Sequence, residues 1–335
     1  MKKFLALMLA LVMALSLVAC GGGSNDANND ANNDANSDSN TAADGDVTFD
    51  KTISLVVPYD AGGGVYNAAI IVANAAAEKL GQTINVVCMS GNGGQEGVEY
   101  VYDQPSDGYT LLATDYGPLI TTSIEEDVIY ELSDFTPLVE MTTTIPTFFV
   151  KADSPYQTME DLIAAAKAAP GTISVGHGKF HSVPHLPLML LEEKAGVTFN
   201  EVPTSGGSEA KAFVLGGSVD VGASVPSSIA GEVQEGLLRV LAVASDERVP
   251  EFPDAPTLKE LGYDVSMPAW YTIFCKSDVP ENVRAALETA LTEAIQSEAA
   301  QTAAKEANIT LTGTGSVESQ AAYEETIKNL TALLG

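Results

Sequence analysis

The sequence predicts an α/β protein with two domains, and three features of the 335-residue chain support this. Short apolar runs alternate with helical patterns from Lys51 onward, which is typical of parallel sheets with crossover helices. About 285 residues carry this pattern, more than one hydrophobic core usually serves. No Gly/Ser-rich linker divides them, so we expect the chain to cross between the domains more than once, with a ligand in the cleft.

The first half of the pattern begins with a buried apolar strand. In order, its predicted elements are a strand at 53–57, a helix at 67–80, a strand at 83–89, a helix at 95–102 and a strand at 109–113. Gly81 ends the first helix, and a Pro-Ser-Asp-Gly turn precedes the last strand. This order indicates a parallel sheet.

The second half continues the alternation after Phe148. Its first predicted elements are a helix from a Thr158 cap to about 169, a strand at 173–175, a helix at 184–195 and a strand at 199–203. Helices at 208–215 and 227–235 and a strand at 238–244 follow. The chain continues with one long helix at about 281–307, in which Pro280 takes the N1 position, a strand near 309 and a last helix after 316. We expect residues 51–145 and 275–335 to form domain 1 and residues 146–274 to form domain 2.

The N-terminus has the features of a secretory signal. Lys2 and Lys3 precede an almost wholly apolar stretch at 4–17, and Leu-Val-Ala-Cys follows at 17–20. This ending resembles the lipobox of bacterial lipoproteins, which implies that residues 1–19 are removed and that Cys20 is lipidated. Lipid would anchor the protein to the outer face of the cytoplasmic membrane without spanning it. Ordinary cleavage that leaves a free cysteine is the alternative.

A polar, acidic segment follows the predicted lipidation site. The motif NDAN occurs three times within residues 25–36, and no apolar periodicity is present, so we expect residues 20–50 to be a disordered tether. Calcium binding is the alternative, but the repeat lacks the glycine and the terminal glutamate of an EF-hand loop.

The chain is strongly acidic, with a net charge of −29. Loss of Lys2 and Lys3 with the signal peptide lowers the net charge to about −31. Such a charge argues against nucleic acid as a partner, because binding it needs a basic face. It also repels anions at long range, so an anionic ligand would have to be attracted by groups within the binding site itself.

A glycine-rich loop at 57–64 (VPYDAGGG) is the strongest local signal in the chain. It follows a strand and opens a helix, so its free N–H groups and the positive end of the helix dipole could bind an anion. The loop has neither the P-loop ending nor the dinucleotide-binding glycine spacing. A plain tight turn is the alternative.

A second loop at 176–182 has the same placement between a strand and a helix. Two such loops, one in each domain, could converge on one ligand. Lys179 is the one lysine or arginine within these two loops. The three arginines of the chain, Arg239, Arg248 and Arg284, lie outside both loops. We therefore do not expect an arginine clamp on the ligand.

All three histidines of the chain lie near this second loop. His177, His181 and His185 would share one face of a continuous helix and could bind zinc, but nearby glycines and Pro184 disfavour such a helix. Ser182 lies close to His185, yet the chain has no Gly-x-Ser-x-Gly motif. We therefore expect no catalysis, no resident metal and no cofactor, with a zinc receptor or a hydrolase as alternatives.

Two further cysteines lie in apolar, strand-like runs. We expect Cys88 and Cys275 to be buried thiols, and a disulfide between them is the alternative in an oxidising compartment.

Several segments, which match a known family in the same order along the chain, together carry a family resemblance. The segments are 53–64, 80–112, 183–190, 202–221, 238–263 and 270–280. The chain resembles the substrate-binding proteins of tripartite tricarboxylate transporters, the Bug-type solute receptors, over residues 51–335. The resemblance implies a two-domain periplasmic-binding-protein fold of type II with two crossover strands that closes by hinge motion. It also implies a small carboxylate bound through backbone amides and water, and a membrane permease as partner. We expect the protein to be a monomer.

The chain departs from the family pattern at several ligand-facing positions. Tyr66 stands where the family usually has aspartate, Ile70 where it has arginine, Lys179 and His181 where it has glycines, and Thr204 where it has tyrosine, whereas Ser182 and His185 keep the pattern. We expect Tyr66 and His181 to face each other across the cleft and narrow it, and Lys179 to contact a ligand carboxylate. The predicted ligand-binding residues are Tyr59, Asp60, Ala61, Gly62, Gly63, Gly64, Tyr66, Asp115, Lys179, Phe180, His181, Ser182, Thr204 and Ser224.

Overall fold

A computed structural model describes residues 47–335, in which helices and strands alternate as the sequence predicts. The predicted signal peptide, Cys20 and most of the predicted tether lie outside the described residues. The strands are β1 Ile53–Val57, β2 Ile84–Cys88, β3 Thr110–Thr114, β4 Phe135–Thr144, β5 Thr147–Lys151, β6 Ser174–His177, β7 Asn200–Pro203, β8 Val221–Ser224, β9 Leu238–Val243, β10 Ala269–Lys276 and β11 Leu311–Thr314. The helices are α1 Gly64–Leu80, α2 Gln95–Tyr102, α3 Thr122–Glu125, α4 Met159–Ala168, α5 His185–Ala195, α6 Gly207–Gly216, α7 Pro226–Gln234, α8 Glu281–Ile295, α9 Glu298–Glu306 and α10 Ser316–Leu334.

The first lobe is built on a six-stranded sheet of order β11-β4-β10-β3-β1-β2. Strands β2, β1 and β3 run parallel, whereas β10, β4 and β11 pair antiparallel, so the sheet is mixed rather than wholly parallel. Helices α1, α8 and α9 pack on one face of the sheet, and α2 and α10 contribute to the core on the other. Covering both faces with apolar side chains explains why four of the five residues of β1 are apolar.

The second lobe is built on a five-stranded sheet of order β7-β6-β8-β5-β9. Strands β7, β6 and β8 are parallel, and β5 runs antiparallel to both of its neighbours. Helices α4 and α5 cover one face, and α6 and α7 cover the other. The chain therefore crosses between the lobes twice, from β4 to β5 and from β9 to β10. The exact domain bounds stay a prediction.

Local capping signals decide where several helices begin and end. Thr158 caps α4 as predicted, because its side chain accepts a hydrogen bond from the Asp161 N–H at 3.1 Å. The prediction of one long helix at 281–307 is wrong. Ser297 adopts an extended conformation, and its hydroxyl accepts a hydrogen bond from the Ala300 N–H, so it ends α8 and starts α9. Pro280 is the N-cap of α8 rather than its first helical residue.

Two sequence-based expectations about buried side chains also change. Phe49, which the sequence placed in the tether, is buried in the first-lobe core, and Val47 packs beside it. Cys88 is exposed and Cys275 is buried, and both are free thiols, so they form no disulfide with each other.

No helix among residues 47–335 is long and apolar enough to cross a membrane.

Candidate functional site

The main cavity has a volume of about 730 Å³ and is lined by loops from both lobes. The first lobe contributes the loop between β1 and α1, and the second lobe contributes the loops that follow β6, β7 and β8. These loops meet because the carboxyl ends of parallel strands lie along one edge of each sheet. The predicted ligand-binding residues that line this cavity are Tyr59, Asp60, Gly63, Gly64, Asp115, Lys179, Ser182, Thr204 and Ser224.

Four helices begin at this cavity without a side-chain cap. Their N-cap residues are Gly63 for α1, Pro184 for α5, Gly206 for α6 and Val225 for α7, and all four line the cavity. An uncapped helix start leaves backbone N–H groups without an intrahelical partner and carries the positive end of the helix dipole. In α5 the N–H groups of His185 and Leu186 donate to the Ser182 carbonyl and Pro187 has none, so α5 contributes only its dipole. The starts of α1, α6 and α7 favour an anion in this space through their N–H groups, even in a protein of net charge −29.

Three serine hydroxyls of the second lobe line the same space. The Oγ atoms of Ser182, Ser224 and Ser228 are buried and have no hydrogen-bond partner among the described residues. A Cβ atom on Gly207 would lie 2.0 Å from the Ser224 Oγ and 3.1 Å from the Ser228 Oγ. Only glycine therefore lets the start of α6 approach these hydroxyls, which can donate hydrogen bonds to a ligand.

Asp115 is a buried carboxylate at the first-lobe side of the cavity. Its Oδ1 atom accepts hydrogen bonds from the Tyr59 hydroxyl and the Gly117 N–H, both at 2.8 Å. Burial raises the pKa of Asp115 to about 6, although the two hydrogen bonds act to lower it. Burial and the nearby Asp115 charge also raise the pKa of Tyr59, which stays a hydrogen-bond donor.

Lys179 lines the cavity but directs its charge to the other lobe. Its Nζ atom lies 2.7 Å from the Glu126 Oε1 atom and 3.4 Å from the Thr122 Oγ1 atom. Its aliphatic carbons occupy the place where a side chain on Gly93 would lie. The lysine therefore bridges the two lobes, and the predicted contact with a ligand carboxylate would have to compete with Glu126.

His181 also reaches across to the first lobe, beside Lys179. Its ring contacts the Glu125 carboxylate, and its backbone N–H donates to the Nδ1 atom of His185 at 2.7 Å. The residue has a φ of +57°, in the left-handed region that non-glycine residues seldom adopt. The loop 178–182 is thus held in an unusual conformation by contacts on both sides.

Five of the predicted ligand-binding residues do not line the main cavity, namely Ala61, Gly62, Tyr66, Phe180 and His181. Tyr66, on α1, packs against the first-lobe core. The expectation that Tyr66 and His181 face each other and narrow this cavity is therefore wrong. Phe180 is 47% exposed, and its ring lies against His177 and His185.

Some residues of the cavity wall were not among the predicted ligand-binding residues. They include the α6 start at 206–208, Ser228 on α7, and Tyr271 on β10. The segment Thr-Ser-Gly-Gly-Ser at 204–208 had the same strand–glycine–helix pattern as the predicted loops and could have been found from it. Tyr271 had no local signal, because only the crossing of the chain back to the first sheet brings it to the cleft.

The histidines are arranged differently from the three-residue set suggested by their spacing. His177 and His185 lie together with Glu201 of β7, whereas His181 points to Glu125. The Nε2 atom of His185 is 3.0 Å from the Glu201 Oε2 atom, and the Nε2 atom of His177 is 3.8 Å from it. Burial lowers the pKa of both His177 and His185 to about 4, so both rings are neutral at pH 7.

Comparisons with known proteins agree with this architecture. A family model described as "Tripartite tricarboxylate transporter family receptor" matches residues 68–331. Protein BugT of Bordetella pertussis is 30% identical over 259 residues, which cover 74% of this chain and 78% of BugT.

Solved structures share the fold over most of their length. The periplasmic binding protein BugD is 25% identical, with a TM-score of 0.79 over 84% of this chain and 96% of BugD. MatC of Rhodopseudomonas palustris, solved with bound malate, is 24% identical, with a TM-score of 0.79 over 85% of this chain and 99% of MatC. The predicted two-domain periplasmic-binding-protein fold is thereby confirmed.

Proposed function

Because the chain belongs to the tripartite tricarboxylate transporter receptor family, we propose that it binds a small organic carboxylate between its lobes. We further propose that it delivers this ligand to the membrane permease of such a transporter. It acts outside the cytoplasmic membrane as a monomeric lipoprotein anchored through Cys20. The chain requires no cofactor and performs no catalysis in this role.

The observation that carries this proposal is the convergence of four uncapped helix starts on one cavity, three of which, those of α1, α6 and α7, supply backbone N–H donors. Backbone N–H groups attract a carboxylate whatever the net charge of the protein, so they supply the attraction within the binding site that an acidic receptor needs. The Ser182, Ser224 and Ser228 hydroxyls add donors without adding charge. The volume of about 730 Å³ suits a small organic molecule.

The arrangement around Ser182 supports binding rather than hydrolysis. A serine nucleophile needs a base within hydrogen-bonding reach. The Ser182 Oγ atom has no hydrogen-bond partner among the described residues. The nitrogens of His185 are both engaged elsewhere, with the His181 N–H and with Glu201. His185 is therefore not placed to accept a proton from Ser182.

The binding proposal is tested with the full-length protein purified in mild detergent. Small molecules released on denaturation are identified by mass spectrometry, and malate, succinate, adipate and citrate are then titrated by calorimetry. Each acid is compared with its amide, which has a similar shape but no charge. We expect at least one acid to bind tenfold or more tightly than its amide, because helix starts favour the charged group. Equal binding of acid and amide, or no binding by any carboxylate, would refute the proposal.

The anchoring proposal makes a separate prediction about Cys20. Replacing Cys20 by alanine is expected to move the protein from the membrane fraction to the soluble extracytoplasmic fraction or to leave it unprocessed, because no sulfur remains to carry lipid. Membrane fractionation and labelling with a fatty acid measure the change. The Cys88→Ala variant is the matched control and should remain anchored, since Cys88 lies in the folded first lobe. Fatty-acid labelling of the Cys20→Ala variant at the level of the parent would show that the anchor is elsewhere.

A further inference from the structure

We propose that His177, His185 and Glu201 form a binding site for a divalent transition-metal ion such as Zn²⁺ in the second lobe. This site is separate from the carboxylate cavity and does not depend on the proposed transport function. It is also different from the three-histidine set that the sequence spacing suggested, because Glu201 takes the place of His181.

The first support is the geometry of the donor atoms. The three ligand atoms all lie within 4.8 Å of one another. They come from the end of β6, the first turn of α5 and the middle of β7, which are regular elements packed in one lobe. Zinc binds histidine nitrogen and carboxylate oxygen at roughly 2.0–2.2 Å, so small side-chain rotations bring all three atoms to one ion. A water molecule or another ligand would complete the coordination.

The second support is the unsatisfied imidazole of His177. This side chain is 0% exposed, and neither of its ring nitrogens has a hydrogen-bond partner among the described residues. Burying such a group without a partner costs free energy, so an orphaned ring of this kind needs an explanation. A metal ion on the Nε2 atom would use its lone pair, and Nε2 is the nitrogen that faces Glu201 at 3.8 Å.

The third support is the local excess of carboxyl groups. The Glu192 and Glu201 carboxyls are neighbours, and neither forms a salt bridge with a lysine or arginine in the part of the chain described. A divalent cation would supply the missing positive charge. Imidazole nitrogen as ligand favours zinc, nickel or copper over magnesium or calcium, which prefer oxygen.

The hydrogen bond that His185 accepts from the His181 N–H opposes metal binding. The Nδ1 atom accepts the His181 N–H at 2.7 Å, so the ring proton resides on Nε2 and faces Glu201. Coordination through Nε2 moves this proton to Nδ1 and breaks the bond from His181. Metal binding therefore costs this hydrogen bond, and we expect affinity on the order of micromolar, weaker than at a preorganised zinc site.

The test is calorimetric titration of Zn²⁺ into the full-length protein in mild detergent after removal of metals with a chelator. We expect one zinc ion per chain and a thermal unfolding midpoint that rises with zinc, because the ion binds only the folded cluster. The His177→Asn and Glu201→Gln variants should bind zinc at least tenfold more weakly. Glu201 is partly exposed and its amide has the same shape, so this variant decides the test if His177→Asn does not fold.

The matched control is His181→Asn, which removes the histidine outside the cluster and keeps a residue that tolerates positive φ. Its affinity for zinc should equal that of the parent. Loss of zinc binding in His181→Asn, parental binding in Glu201→Gln, displacement of zinc by equal magnesium, or no zinc binding by the parent would each overturn the proposal.

Discussion

Replacing Gly207 by alanine is expected to weaken carboxylate binding by about tenfold to a hundredfold while leaving the fold intact. The new Cβ atom would lie 2.0 Å from the Ser224 Oγ atom, so that hydroxyl must rotate away from its place beside the α6 start. The loss of a hydrogen bond to a charged ligand group costs ~1.5–3 kcal/mol, which gives this range of affinity. Alanine is also a better helix former than glycine, so α6 itself should not be weakened.

Calorimetry with the ligand identified from the parent protein measures this effect, and circular dichroism reports the fold. The matched control is Gly216→Ala at the other end of the same helix, where a Cβ atom would meet nothing within 4 Å. This control should bind the ligand with parental affinity. Parental affinity in a folded Gly207→Ala variant would show that the α6 start does not contact the ligand.

Replacing Asp115 by asparagine is expected to raise the free energy of unfolding at pH 7.5 by about 1–3 kcal/mol. Burial raises the pKa of this carboxyl from 3.8 to about 6, so its charged form is disfavoured in the folded protein. Asparagine keeps the oxygen that accepts hydrogen bonds from Tyr59 and Gly117, and it carries no charge to desolvate.

The sign of the pH dependence follows from the raised pKa. Between pH 4 and 6 the folded parent binds more protons at Asp115 than the unfolded chain does, so its free energy of unfolding falls as pH rises through this window. About one pH unit above this pKa the penalty is complete and this contribution becomes constant. Asparagine cannot titrate, so the variant should lose this part of the slope.

Urea unfolding of both proteins at pH 4.5, 6 and 7.5 measures the difference in the free energy of unfolding. The control is Asp254→Asn, which changes an exposed carboxylate and should alter stability by less than about 0.5 kcal/mol. If Asp115→Asn has a lower free energy of unfolding than the parent at pH 7.5, the hydrogen bonds to the buried carboxylate stabilise the fold by more than its desolvation destabilises it. Removal of this charge from the cavity wall should also tighten the binding of an anionic ligand.

The sequence predicted the features that depend on neighbouring residues. The bounds of β1 and α2 agree with the predicted ranges 53–57 and 95–102, because apolar periodicity and helix-start signals are local. The loop at 57–64 was identified for the same reason, since a strand, a glycine turn and a helix start follow one another directly. The length of the chain predicted two lobes. The family resemblance, carried by segments that occur in the family's order, predicted the periplasmic-binding-protein type of fold that the two lobes form together.

Other properties of the site depend on residues that are far apart in the chain. Lys179 pairs with Glu126, 53 residues away, and Glu201 joins His177 and His185 only because β7 lies beside β6. Spacing alone suggested His181 as the partner, and the left-handed backbone at that residue instead turns its side chain to the other lobe. Periodicity determines which residues form a helix or a strand. The packing of the two lobes decides which side chains meet, because the energies of those contacts depend on distances that no local pattern contains.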